Sequence, residues 1–199
     1  MCSIIGYKGL FKKYMVEKLL DESRCRGVHS FGYHTKNGTK KFLDYNLFKK
    51  ELLSEKPDLF IAHFRYSTSG DYRKMANNQP LTWDDKSMVF NGVISQLSQS
   101  EMENQFQLEL PSDNDGWILY DYFSGGKFNL PQGSSYAFLG LDFSHDGDKK
   151  LSAVRNALRP LWKYESENHV ILASTKDILT RAGLNNCISS LKKDKVYGW

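Results

Sequence analysis

Removal of the initiator Met1 would leave a thiol and a free amine on one residue, Cys2. A cysteine side chain at the second position is small enough to favour that removal. An α-amino group titrates near about 7.7–8.0 and a cysteine thiol near about 8.5, so the amine can take the thiol proton close to neutrality without a separate histidine. Read alone, the Met1-Cys2 dipeptide favours Cys2 as a packed apolar residue at the start of a strand, and other residues must decide otherwise. Two further segments could complete such a site. His63-Phe64-Arg65-Tyr66-Ser67-Thr68-Ser69-Gly70 puts an arginine fork at the end of a strand, suited either to a ligand carboxylate or to a structural salt bridge. Asn91-Gly92 between apolar residues reads as a type I′ hairpin turn, or as an amide and a backbone N–H that hold a developing oxyanion.

The acidic run Ser112-Asp113-Asn114-Asp115 can cap a following helix or hold an ammonium group. As a calcium loop it fails, because the first ligand position would be Pro111 and the twelfth Tyr122. No metal site is expected. Cys2, Cys25 and Cys187 form no CxxC or Cys/His pair, and three is an odd count, so reduced thiols are expected, buried unless nucleophilic. Walker, Rossmann, HExxH and GxSxG signatures do not occur.

The elements that must position these residues follow from periodicity. Ser3 to Tyr7 reads as a strand, followed by a helix with Phe11, Tyr14, Met15 and Leu19 on one face. Ser30–Thr35 and Lys41–Tyr45 read as a hairpin about Asn37-Gly38, with Asn46 capping a helix that runs to Leu53. Leu59–Arg65 and Met88–Phe90 read as strands, with a long polar surface loop from Ser67 to Asn78 between them. Ile118, Leu119 and Tyr122 have helical spacing. Tyr136–Phe143 and Leu151–Arg155 flank an Asp146-Gly147 turn, and Leu161–Tyr164, Val170–Ala173 and a helix over Asp177–Ala182 follow. Helices beside hairpin-linked strands indicate α+β in one domain over residues 1–199.

Composition agrees with a globular chain: 199 residues, 14% aromatic and 25% charged, with only five prolines. A net charge of +4 gives only mild anion affinity, and Lys192, Lys193 and Lys195, interrupted by Asp194, read as a solvated face. Nucleic acid is not an expected partner. Neither a signal peptide nor a membrane-spanning apolar run is present, so a cytoplasmic protein with no membrane association is expected.

In their order along the chain these segments resemble the class II glutamine amidotransferase domain of the N-terminal nucleophile hydrolases. Met1-Cys2-Ser3-Ile4-Ile5-Gly6-Tyr7 is similar to that family's MCGIIGY start, and Arg26-Gly27-Val28-His29-Ser30-Phe31-Gly32 to its RGxDSxG. His63 to Gly70 is similar to HxRYSTxG, with Asn78-Gln79-Pro80-Leu81 continuing as in the glutaminase domains of amidophosphoribosyltransferases, a group related to glucosamine-6-phosphate synthase. Asn91-Gly92 falls at HNG, and Arg155 to Leu161 and Ala173-Ser174 resemble the RDPxGxxPL and ASE segments. Ser3, His29, Phe90 and Trp117 depart from the family's glycine, aspartate, histidine and glutamate.

The resemblance implies a four-layer αββα sandwich and hydrolysis of L-glutamine to glutamate and ammonia through a thioester on Cys2, with no cofactor. It implies Asn91 and Gly92 for the oxyanion, Arg65 for the substrate carboxylate, Asp115 in preference to Asp113 for its ammonium, and Arg26 as a supporting residue. With no synthase domain expected within 199 residues, the ammonia would pass to a separate ligase or transferase in trans. An N-terminal cysteine amidase for another amide, or a silent regulatory module of the same fold, are the alternatives.

Overall fold

The computed structural model describes residues 1–68, 70–119, 133–144 and 150–199. Along strand β1 (Ser3–Gly9), Ile5 and Tyr7 point to one side and Ile4 to the other, and all three are fully buried. A strand buried on both faces needs a packed layer on each.

The remaining strands are β2 (Ser30–Thr35), β3 (Gly38–Phe42), β4 (Leu59–Arg65), β5 (Leu81–Trp83), β6 (Lys86–Val93), β7 (Ser135–Asp142), β8 (Leu151–Arg155), β9 (Trp162–Ser166), β10 (His169–Ala173), β11 (Ile188–Ser190) and β12 (Tyr197–Gly198). They form a seven-stranded sheet in the order β11-β9-β10-β1-β4-β2-β3 and a five-stranded sheet in the order β12-β8-β7-β6-β5. The pairings are antiparallel.

Helices α1 (Lys13–Arg24), α2 (Tyr45–Glu55) and α4 (Lys176–Arg181) cover the outer face of the larger sheet, packing Val16, Leu19, Phe48, Leu52 and Ile178 against Ile5, Tyr7, Phe31 and Phe64. Ile4, Ile61 and Leu172 meet Val89, Leu139, Leu151 and Ala153 between the sheets. Helix α3 (Gln99–Phe106) and a 3-10 turn at Asp115–Leu119 close the far face, where Met102, Ile118 and Leu119 contact Met88, Phe90 and Phe138. The architecture is α+β, two antiparallel sheets between helical layers.

Several local expectations are corrected. The first hairpin turns at Lys36-Asn37, so β3 starts at Gly38, whose φ of +101° suits a residue without Cβ. Helix α2 is capped by Asp44 rather than Asn46, because the Asp44 carboxylate accepts from the Leu47 N–H at 2.7 Å. Tyr14 is 72% exposed, since the buried face of α1 runs through Val16, Leu19, Leu20 and Ser23. Asn91-Gly92 is not a turn. Both residues lie inside β6, opposite Ala137 and Tyr136, and the chain reverses instead at Asp84-Asp85.

The apolar spacing after Trp117 makes a 3-10 turn in place of a helix; Tyr122 and Asp146-Gly147 lie outside the described residues. Cys25 and Cys187 are exposed rather than buried. Helix α3 was not expected, although Ser98 and Glu101 form its capping box, with the Ser98 N–H donating to Glu101 Oε2 at 2.8 Å. Among the described residues no helix is long and apolar enough to cross a membrane.

Candidate active site

Strand alternation decides which side chains meet. In β4, Phe60, Ala62 and Phe64 face the helices, so Ile61, His63 and Arg65 face the gap between the sheets. Ahead of β1, Cys2 shares the gap-facing parity of Ile4. Across the gap, Val89 of β6 faces inward, and Asn91 shares its face. Cys2, Arg65 and Gly92, from three segments, therefore meet at one end of the sandwich, with Asn91 beside them in β6. The cleft there is lined by Cys2, His63, Arg65, Gln79, Gly92 and Asp115, among others.

The cleft is narrow, at about 40 Å³. Roomier hollows of about 590 and 340 Å³ lie elsewhere and contain no cysteine, so volume does not locate the chemistry.

The Cys2 thiol donates to the Tyr66 carbonyl at 3.7 Å. Burial raises its pKa, against the lowering effects of the Tyr66 backbone, the terminal amine and Arg65, while Asp115 adds to the rise. A thiol so placed keeps its proton until a base takes it. Arg26 Nε donates to the Cys2 carbonyl at 3.3 Å, and its guanidinium lies 3.9 Å from the Met1 sulfur. Arg159 reaches the same sulfur at 3.4 Å, so Met1 sits between two cations.

Arg65 is buried and its fork is gripped by the chain that follows β4. One terminal nitrogen donates to the Asn77 carbonyl and to Asn78 Oδ1, both at 2.6 Å, and the other to the Gly70 carbonyl at 3.3 Å. Asn114 donates to the same Asn77 carbonyl at 2.9 Å, which ties the acidic segment to the arginine loop.

The two aspartates differ. Asp113 lines the cleft from an exposed position, whereas the Asp115 carboxylate is partly buried and accepts from the Ile94 and Ser95 N–H groups at 2.6 and 3.2 Å. Burial nevertheless raises the Asp115 carboxyl, outweighing those two donors and Arg65.

Asn91 is 2% exposed and, among the described residues, its amide nitrogen has no hydrogen-bond partner. Gly92 allows the two strands to approach: a Cβ there would lie 1.9 Å from the Ser135 carbonyl. Tyr136 opposite exchanges both its backbone bonds with Asn156, which turns the Gly92 N–H away from β7 to the side on which the Phe90 N–H meets Gln79 Oε1 at 2.6 Å. Strand β5 stops at the level of Met88, so this side is open to the cleft at Gly92.

His63 is buried with neither ring nitrogen in hydrogen-bond geometry among the described residues, and burial with the nearby Arg65 charge pushes it down to about 3 despite the Phe90 backbone. It is neutral and cannot serve as a stored acid. Ser3, the departure beside Cys2, points away from the cleft: it pairs with Phe64 on the helix-covered face, where its hydroxyl is buried without a partner among the described residues.

Sequence reasoning did not single out Asn114, Gln79, Arg159 or the Tyr66 carbonyl. Gln79 was legible only as part of a motif, and a backbone carbonyl has no sequence signal.

No family model and no curated protein sequence matches the chain. Solved structures do. The glutamine phosphoribosylpyrophosphate amidotransferase from B. subtilis, complexed with ADP and GMP, superposes at a TM-score of 0.68 and 18% identity over 96% of this chain and 49% of that one. The allosteric regulatory enzyme of purine biosynthesis superposes at 0.63 and 19% identity, over 96% of this chain and 44% of that one. The chain spans about half the length of the structures it matches. Its fold is that of the class II, N-terminal nucleophile type of glutamine amidotransferase domain.

Proposed function

We propose that this chain is a glutamine amidotransferase-type glutaminase, hydrolysing L-glutamine to glutamate and ammonia. The observation that carries the reading is the buried Asn91 amide, without a partner among the described residues and next to Gly92 of the cleft. Leaving a buried donor unpaired costs about 1–3 kcal/mol, a cost recovered when an oxyanion forms in front of it.

With Met1 removed, the Cys2 amine takes the thiol proton, and the thiolate attacks the side-chain amide carbon of glutamine. Arg26, whose Nε donates to the Cys2 carbonyl, holds the backbone of the nucleophile in place. Asn91 Nδ2–H and the Gly92 N–H receive the tetrahedral oxyanion. The ammonium formed on Cys2 returns its proton to the departing nitrogen, giving ammonia and a thioester. Water, deprotonated by the same amine, opens the thioester to glutamate and restores the thiol. Arg65 holds the α-carboxylate and Asp115 the α-ammonium, and the exposed wall residues Thr68 and Asp113 move aside as the narrow cleft fills. A free amino acid needs both anchors, which favours glutamine over amides that lack them. The ammonia passes to an acceptor domain or partner enzyme.

Intact-mass analysis of the untagged protein before and after 6-diazo-5-oxo-L-norleucine tests the reading, with Cys2→Ala as control. Loss of Met1 and one adduct on Cys2, absent in the control, is expected. A processed Cys2 that stays unlabelled in the presence of the reagent would reject it.

A further inference from the structure

The residues that follow β4 carry the Tyr66 carbonyl that receives the Cys2 thiol and the Gly70 carbonyl that receives Arg65. Before the single turn at Met75–Asn77 no helix or strand is assigned to the described residues here, so their position must be set by contacts with another part of the chain. His29 supplies those contacts. Its backbone N–H donates to the Arg65 carbonyl at 3.0 Å, and its Nδ1 accepts from the Ser67 N–H at 2.9 Å. An imidazole that accepts at Nδ1 carries its proton on Nε2, so Ser67 selects the tautomer.

The ring is also clamped. Tyr66 lies 4.9 Å away at 28° and Tyr72 4.9 Å away at 17°. Two near-parallel rings at that distance cannot share one face, so the imidazole is the middle member of a three-ring stack.

The geometry points to His29 as a positioning residue: by receiving the Ser67 N–H it sets the Tyr66 carbonyl against the Cys2 thiol and the Gly70 carbonyl against the Arg65 fork. The consequence for catalysis rests on the glutaminase reading, whereas the latch itself does not. The stack and the acceptor are separable. Phenylalanine in place of His29 keeps an aromatic ring between the tyrosines and loses the acceptor, while asparagine loses the ring and keeps an oxygen that can accept.

The experiment uses the processed full chain as wild type, His29→Phe and His29→Asn. Two quantities are read: amide hydrogen exchange at Ser67, and glutamine hydrolysis with 6-diazo-5-oxo-L-norleucine labelling. The Ser67 amide should exchange about tenfold faster in His29→Phe and remain protected in His29→Asn. His29→Phe should raise KM about tenfold with a smaller change in kcat, because Arg65 is displaced more than the nucleophile, and His29→Asn should recover most of the loss. Unchanged Ser67 exchange in His29→Phe would overturn the latch. Faster exchange with unaltered KM would overturn the positioning role, and an equal fall in both variants would show that the ring, not the acceptor, matters. A wild type that neither hydrolyses glutamine nor labels would reject the glutaminase reading instead, with the Ser67 exchange still deciding the latch.

Discussion

Glu55 and Asp115 are both partly buried carboxylates, and the molecule treats them in opposite ways. Glu55 accepts from Tyr33 Oη at 2.6 Å, Thr35 Oγ1 at 3.0 Å and Asn37 Nδ2 at 3.3 Å, and pairs with Lys40 at 2.8 Å. Burial alone would raise its pKa, but those four partners hold it below the ordinary glutamate value. Asp115 accepts from the Ile94 and Ser95 N–H groups, and burial wins, so its pKa is raised. The same asymmetry separates their surroundings. Around Glu55 polar groups find one another, while near Cys2 the Asn91 amide and the His63 ring stay unpaired among the described residues. A saturated carboxylate holds structure together; an undersupplied one, beside undersupplied donors, is free to serve a ligand.

The comparison breaks if substitutions near Cys2 cost stability rather than activity. Cys2→Ala should therefore lower glutamine hydrolysis by about 10⁴-fold or more while leaving the thermal midpoint unchanged, as read by ammonia release and calorimetry. Next in size, Asp115→Asn should reduce kcat/KM about 10- to 100-fold through the lost ammonium contact. Glu55→Gln should do the reverse, losing about 1–3 kcal/mol in urea unfolding with kcat/KM unchanged.

Their pH dependences should differ in sign. A raised Asp115 makes its contribution to folding present below the unfolded value near about 3.9 and lost as pH rises through the folded value. A lowered Glu55 contributes above the unfolded value near about 4.3, and that contribution is lost as pH falls through the folded value. Asp115→Asn should then gain stability over the wild type between pH 4 and pH 7, and the deficit of Glu55→Gln should shrink as pH drops below about 4. Urea midpoints of the three proteins across that range check both. The smallest effect concerns Ser3, whose unpaired hydroxyl lies away from the cleft. Ser3→Ala should raise stability by about 1 kcal/mol and leave glutamine turnover within about twofold, measured by the same unfolding and ammonia assays.

Much of this arrangement could be read before the structure. Alternation located most of the strands to within a few residues, and the ordered motifs pointed to Cys2, Arg65 and Asn91-Gly92. What failed was local. Asn-Gly favours a turn, but the β6–β7 pairing runs straight through it, and only residues more than forty positions away decide that. Asn114 was invisible for a similar reason, since its partner is a backbone carbonyl contributed by Asn77. Helix α3 was missed although its signal was local, since Ser98-Gln99-Ser100-Glu101 is a capping box ahead of Met102.

The order of the strands bears on how such molecules behave at high concentration. A sheet edge offers unpaired backbone groups to any neighbouring chain, and long, uncharged edges recruit copies of themselves. Among the described residues the five-stranded sheet ends in strands of two and three residues, β12 and β5, and one edge of the larger sheet is the three-residue β11. The longest edge, β3, carries Lys40 and Lys41 side by side. Strand-to-strand aggregation therefore has little to grip, and crowded solutions should hold separate sandwiches rather than fibres.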